Sequence, residues 1–294
     1  MKNFLKYLTS SDSDKEWGLY LTVVGRYRIS PKSHYPSKQH PTGYYFNWEN
    51  GRILDEYQII FITEGSGIYE TADTSYKISP GTIMIVCPGI RHRYRPDFDK
   101  GWVENYIGFK GEISQHFLNK TFDAVRTPVL SYGIKMEIMD IFLKIFDLVQ
   151  KQKPAYHQIG AGMVIKLLGY LVSFQKQNSF EGNQIEELIK SARVYMWDNV
   201  NKNVDIQVFA KNNAVSYSYF RKAFKKYTGI SPHQYLLDLK IMRSKQLIIS
   251  TDKSIKEITY ELGFDSIQYF SRLFKIKTGI SPSKHREKNQ FMKF

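Results

Sequence analysis

Ser216-Tyr217-Ser218-Tyr219-Phe220-Arg221-Lys222-Ala223-Phe224-Lys225, running on to Thr228-Gly229-Ile230-Ser231-Pro232, is answered fifty positions later by a second copy. That copy reads Ser266-Ile267-Gln268-Tyr269-Phe270-Ser271-Arg272-Leu273-Phe274-Lys275, then Thr278-Gly279-Ile280-Ser281-Pro282. Ser216 and Ser266 suit helix N-caps, because a serine oxygen accepts one of the orphan N–H groups of the first turn. Phe220 with Phe224, and Phe270 with Phe274, lie four apart on one helical face. Tyr219 and Tyr269 widen that face, so all six aromatics are expected in a core. Gly229 and Gly279 stand where a helix ends in the left-handed region, and Pro232 and Pro282 suit the first turn of the next helix.

The opposite face of each copy is polar and basic: Ser218, Arg221, Lys222 and Lys225 in the first, Gln268, Ser271, Arg272 and Lys275 in the second. Upstream, Asp205 to Asn212 reads as a short helix with Ile206, Phe209 and Ala210 as its apolar stripe. Ile255 to Leu262 does the same with Ile255, Ile258 and Leu262, and Gly263-Phe264 forms the turn. Each pair therefore reads as a helix-turn-helix. Pro232 to Leu247 forms one helix between them, with Tyr235, Leu236, Leu239, Met242 and Leu247 inward. Such a helix holds two readers at a fixed separation, which suits successive major grooves roughly 34 Å apart. Lysines on a polar helical face are ordinarily only solvated. The clustering of Arg221, Lys222 and Arg272 on the faces aimed at bases favours contact with double-stranded DNA, where arginine can grip guanine and glutamine adenine.

The stretch Ile255-x-x-Ile258, Gly263-Phe264-x-Ser266, Tyr269-Phe270-Ser271-Arg272-x-Phe274-Lys275, Gly279-Ile280-Ser281-Pro282 and Arg286 resembles the signature of the AraC/XylS family of bacterial transcription regulators. The resemblance covers about residues 184–288. Thr259 stands where that family usually has alanine, and His285 where an aromatic is commoner. The resemblance implies base-edge readers at Ser218, Arg221, Lys222, Gln268, Ser271 and Arg272, with RNA polymerase as a further partner and activation as the outcome.

Charge is concentrated in the same region. The 294 residues carry a net +14, and from Phe180 onward 20 Lys+Arg face 11 Asp+Glu. This supplies the salt-sensitive, sequence-independent part of DNA affinity. The length suits two or three domains, and 42% hydrophobic residues suffice for folded cores. No run approaches the roughly 18 apolar residues of a membrane span, and Met1 to Trp17 lacks the apolar centre of a signal peptide. A cytoplasmic protein with no membrane partner is expected. Cys87 is the single cysteine, so no intrachain disulfide can form, and its apolar run, Thr82 to Cys87, makes it a buried strand residue.

In the N-terminal half the period changes. Ile59 to Ile62, Ile68 to Glu70, Tyr76 to Ile78 and Thr82 to Val86 are short β-rich runs separated by Glu64-Gly65-Ser66-Gly67 and Pro80-Gly81. They read as an antiparallel sandwich or barrel. The order Glu64-Gly65, Pro80-Gly81, Pro88-Gly89-x-x-His92-x-Tyr94, Trp102 and Phe109 resembles the cupin-like effector domain that precedes the DNA-binding part in many AraC-type regulators. A metal-dependent cupin enzyme would bring a His-x-His pair and a Glu to meet a later His. Only His92 has a counterpart, and Ile59 to Ile78 holds no histidine, so no metal, no cofactor and no catalytic residue is expected.

A small molecule bound in the barrel mouth fits better. Trp102, Glu104 and Tyr106 alternate along one strand and share a side, joining aromatic faces to a carboxylate in a way that suits a sugar. Resemblance to the arabinose-responsive member implies pocket positions near Arg52, Tyr94, Glu104 and Tyr106, with His92 fixing a loop or touching the ligand. The bland reading keeps Trp102 and Tyr106 as core, and Arg91, Arg93 and Arg95 leave an anionic effector open.

Between the halves, Ile134 to Gln150 and Ile159 to Gln175 read as two helices. One stripe comprises Ile134, Ile138, Ile141, Phe142, Ile145 and Leu148. The other comprises Met163, Leu167, Tyr170, Leu171 and Phe174. Such helices pair subunits in this family, and a homodimer is preferred over simple packing on the barrel. The expected organisation is an α+β multidomain chain. An antiparallel β cupin-like barrel with flanking helices (1–132) precedes a helical dimerisation segment (133–176), a linker (177–184) and an all-α DNA-binding domain with two helix-turn-helix units (185–294). Two alternatives remain open: a metal-dependent cupin enzyme fused to a DNA-binding domain, and an effector-independent regulator answering to a protein partner.

Overall fold

The computed structural model describes residues 3–36, 46–177, 180, 184–202 and 204–290. The chain divides into two compact units, 1–177 and 178–294. Of the expected linker, residues 178–179 and 181–183 lie outside the described residues, while Phe180 is buried in the second unit's core.

In chain order the first unit comprises β1 (Phe4–Tyr7), α1 (Asp12–Glu16), β2 (Tyr20–Ile29), β3 (Tyr57–Gly65), β4 (Gly67–Glu70), β5 (Ser75–Ile78), β6 (Thr82–Val86), β7 (Arg93–Pro96) and β8 (Trp102–Lys110). Then come α2 (Glu112–Gln115), running into a π-helical turn His116–Thr121, β9 (Val129–Ser131), α3 (Met136–Lys151) and α4 (Tyr156–Gln177). Six strands in the order β1-β2-β8-β3-β6-β9 face a three-stranded sheet β5-β4-β7, and every pairing is antiparallel.

The large sheet is covered on both sides, which is why Ile59 to Ile62 is continuously apolar rather than alternating. Ile59, Phe61, Ile83, Ile85, Ile107 and Phe109 share a core with the two long helices. Ile60, Ile62, Met84, Val86, Trp102 and Tyr106 point the other way, toward Tyr69, Ile78 and Tyr94 of the small sheet. Cys87 is buried one residue beyond β6.

The helical stripes are spent inside this unit. Ile138, Ile141, Phe142, Ile145, Leu167, Leu171 and Phe174 are buried against the sheet. Gly160 lets α4 lie close to β2, since a Cβ there would come 2.6 Å from Leu21 Cδ1. Of the residues assigned to the stripes, Ile134 precedes α3 and is 47% exposed. Residues 133–176 therefore share one core with the barrel, and the two stripes are not a free pairing surface.

The second unit is all helix: α5 (Gln184–Asp198), α6 (Ile206–Asn212), α7 (Tyr217–Thr228), α8 (Pro232–Ser250), α9 (Ile255–Glu261), α10 (Ile267–Thr278) and α11 (Pro282–Gln290). It holds two small cores threaded by α8. Leu236 and Leu239 join α5, α6 and α7, whereas Ile241, Leu247 and Ile248 join α9 and α10. Serving two cores puts the apolar residues of α8 on two faces. Met242, expected inward, is instead 42% exposed. Lys240 is buried where the two cores adjoin: its Nζ donates to the Gly263 carbonyl at 3.2 Å and lies 5.3 Å from the Phe264 ring centre.

Candidate DNA-reading helices and effector pocket

The fifty-residue repeat holds at the level of single atoms. Ser216 and Ser266 each accept from the backbone N–H three residues on, that of Tyr219 and of Tyr269. Thr228 donates to the Phe224 carbonyl at 2.8 Å and Thr278 to that of Phe274 at 2.8 Å. Gly229 and Gly279 close the helices at φ 89° and 83°, a left-handed conformation that a Cβ disfavours. Tyr235 meets Phe224 edge-on at 5.5 Å, and His285 meets Phe274 at 5.4 Å. The histidine thus fills the place of an aromatic. Thr259, buried where alanine is usual, satisfies its hydroxyl on the Ile255 carbonyl at 2.7 Å. Arg286 donates to the carbonyls of Ile248 and Lys253, tying down the chain that leaves α8.

Phe220, Phe224, Phe270 and Phe274 are fully buried, but Tyr219 is 49% and Tyr269 40% exposed. Their expected place in the core is corrected. Each recognition helix packs through a narrow stripe at i and i+4, and the tyrosine one residue earlier falls on its flank, where Tyr269 leans on Phe264 at 6.1 Å. Ser218, Arg221, Lys222, Lys225, Gln268, Arg272 and Lys275 are exposed, and Ser271 is half-buried. The side chains of Arg221, Lys222, Lys225, Arg272 and Lys275 form no ion pair or hydrogen bond among the described residues. Lys277 on the same helix is by contrast held by Asp238 at 2.8 Å. The five free cations lie on α7 and α10, the second helices of the two helix-turn-helix pairs.

In the first unit, one face of β8 carries Trp102, Glu104 and Tyr106 inward. Opposite lies Tyr94 of β7, and Arg52 joins the cluster because its backbone bridges to that of His92. A cavity of about 20 Å³ remains between Arg52, Tyr94, Glu104 and Tyr106, closed by Tyr7, Tyr35 and Phe46. Trp102 does not line it but stands behind, packed on Tyr35 at 5.9 Å and Tyr94 at 6.1 Å. His92 stands behind Arg52. Gly25 makes room for the Tyr106 phenol, since a Cβ there would lie 2.4 Å from its ring and hydroxyl.

The electrostatics of this cluster follow from burial. Desolvation pushes the Glu104 carboxyl up to about 7, although Arg52 and the Tyr35 hydroxyl pull it down. Burial takes His92 down to about 4, and the neighbouring Arg52 cation adds to the effect. Arg52 Nε donates to His92 Nε2 at 3.2 Å, which leaves Nδ1–H to donate to the Ile90 carbonyl at 3.0 Å. Both ring nitrogens are engaged, and a second Arg52 nitrogen donates to the Tyr94 hydroxyl. The three other arginines each have a structural contact of their own. Arg91 donates to the carbonyls of Asn50 and Glu49, Arg93 pairs with Glu70 at 2.6 Å, and Arg95 lies 4.0 Å from the Trp48 ring centre.

Tyr35, Phe46, Tyr7 and Gln58, which also line the cavity, had no place in the pocket expected from the sequence. Tyr35 and Phe46 sit on the long connection between β2 and β3, where no periodicity marks an inward residue. Gly25 was the available signal: a glycine within Val23-Val24-Gly25 of a strand announces close approach.

Two family models match the chain, one described as an AraC-like ligand binding domain over residues 32–161, the other as a helix-turn-helix domain over residues 209–288. The Msm operon regulatory protein of Streptococcus mutans is 28% identical over 266 residues, covering 87% of this chain and 92% of that protein. The lactose operon transcription activator of Staphylococcus xylosus is 25% identical over 220 residues, 73% and 78% of the two chains. The MmsAB operon regulatory protein of Pseudomonas aeruginosa is 23% identical over 274 residues, 92% and 83%. With an antiparallel barrel ahead of two helix-turn-helix pairs, and operon regulators as its relatives, the chain belongs to the AraC family of DNA-binding transcription regulators with a ligand-binding N-terminal domain.

Proposed function

We propose that this regulator is a cytoplasmic, sugar-responsive activator, and not an enzyme. A monosaccharide or similar polyol binds among Arg52, Tyr94, Glu104 and Tyr106, with Trp102 and His92 supporting the site from behind. Binding changes how the two DNA-reading helices engage their site through Ser218, Arg221, Lys222, Lys225, Gln268, Ser271, Arg272 and Lys275, and so alters recruitment of RNA polymerase. The effector must bind one arrangement of the protein better than the other for this to work. The observation that carries the reading is the buried carboxylate and guanidinium set among aromatic rings. Aromatic faces take the C–H side of a sugar, and the charged groups take its hydroxyls. The lactose operon relative makes a sugar the natural first class to test.

Homodimer formation is part of the proposal. Because the helical stripes are covered, pairing would draw on exposed apolar residues such as Ile134, Met136 and Ile159. The metal-enzyme alternative is disfavoured, because His92 has no lone pair left to offer a metal. Calorimetric titration of the full-length protein with a panel of neutral monosaccharides tests the reading. Saturable heat from one sugar, abolished by Glu104→Ala, is expected. Heat from none of them would return the barrel to a protein partner or another ligand class.

A further inference from the structure

A ligand of monosaccharide size does not fit the site as it stands. About 20 Å³ holds a single water, whereas small-molecule sites offer about 300–1,000 Å³. The space is taken by Tyr35. Its ring lies edge-on to Trp102 at 5.9 Å and to Phe46 at 6.4 Å, tilted against Tyr94 at 6.1 Å, and its hydroxyl donates to Glu104 Oε2 at 3.3 Å. A six-membered ring on an aromatic wall, with a hydroxyl given to a buried carboxylate, is the contact set that a pyranose would make.

We propose that the Tyr35 phenol is an internal ligand occupying the effector's seat, so that effector binding is an exchange with Tyr35. The inference rests on the effector pocket proposed above. Three consequences follow from the geometry. Glu104 keeps a hydrogen-bond donor in both states, so the buried carboxyl is never left unpaired, which would be costly. The apparent affinity for effector is reduced by the fraction of molecules whose seat is open. Finally, the expelled ring gives up its contacts with Trp102, Phe46 and Tyr94, so occupancy of the seat changes how the connection after β2 packs on the barrel.

The test uses full-length protein with Tyr35→Gly and p-cresol, the tyrosine side chain as a free molecule. The variant is expected to bind p-cresol saturably, followed by tryptophan fluorescence and thermal shift, with toluene binding about ten-fold more weakly for want of the hydroxyl. Wild type is expected to bind neither. Any monosaccharide that binds wild type should bind Tyr35→Gly at least ten-fold more tightly and be displaced by p-cresol. Failure of the folded variant to take up p-cresol, or a sugar that binds both proteins equally, overturns the proposal. If p-cresol fills the variant and no sugar of the panel binds either protein, Tyr35 occupancy stands and the sugar reading falls. Should the glycine variant not fold, Tyr35→Phe keeps the ring and removes the hydroxyl. It should raise affinity for a wild-type-binding sugar about ten-fold, and an unchanged affinity would contradict the exchange.

Discussion

Arg52 Nε donates to the Nε2 of His92 across 3.2 Å, and this single bond fixes the histidine as the neutral Nδ1–H tautomer. The ring is buried, and its pKa is lowered to about 4. Between that value and the unfolded value of about 6.5, the unfolded chain binds more protons than the folded one. The stability contributed by neutral His92 is thus full above about pH 6.5 and lost as pH falls toward 4, on the order of 3 kcal/mol in all. Ring ¹⁵N shifts followed through an acid titration should show no protonation of His92 until near pH 4. A midpoint near 6.5 would remove the Arg52 bond from the account.

Glu104 has the opposite sign. Its carboxyl is raised to about 7, so the folded state holds a proton that the unfolded state releases near 4.5. The corresponding stability is present below about pH 4.5 and disappears as pH rises through 7. Glu104→Gln should flatten this alkaline limb in urea unfolding measured from pH 5 to 8. A limb of unchanged slope in the variant would place the titration elsewhere.

Phe274→Ala and Tyr269→Ala separate the two roles of neighbouring aromatics in the second recognition helix. Phe274 is fully buried, and its truncation should cost about 3–5 kcal/mol. Tyr269 is 40% exposed, and its loss should change stability by no more than about 1 kcal/mol. Comparable losses in denaturant unfolding of the two variants would return Tyr269 to the core.

Arg272 lies exposed on α10 without an intramolecular partner among the described residues. If it reads a base, Arg272→Gln should weaken specific binding by about 1–3 kcal/mol and relax preference at one position of the site. A loss that is uniform across sequences would make it a phosphate contact.

The helix-turn-helix half was legible because its signals are local. Ser216, Ser266, Gly229 and Gly279 mark helix ends by backbone chemistry, and Phe220 with Phe224 marks a buried stripe by spacing alone. Tyr219 and Tyr269 were misread because one-residue offsets around a helix decide exposure, and hydrophobicity cannot resolve them. Met242 was misplaced since a helix that serves two cores has two inner faces. In the barrel, strand alternation put Trp102, Glu104 and Tyr106 on one side. Tyr35 stayed invisible, because a side chain delivered by a long connection is positioned by tertiary packing against Glu104 and Trp102, not by any period of its own.

In the proposed function, two basic recognition helices read DNA under the control of a ligand in the barrel. Selection of bound sites from random duplex DNA by the full-length protein, at fixed salt and with and without the monosaccharide panel, tests it most directly. The expected result is enrichment of a bipartite site, its halves about one helical turn apart, whose occupancy shifts with one sugar. Enrichment of a single half-site indifferent to every sugar would contradict both the paired reading and its control.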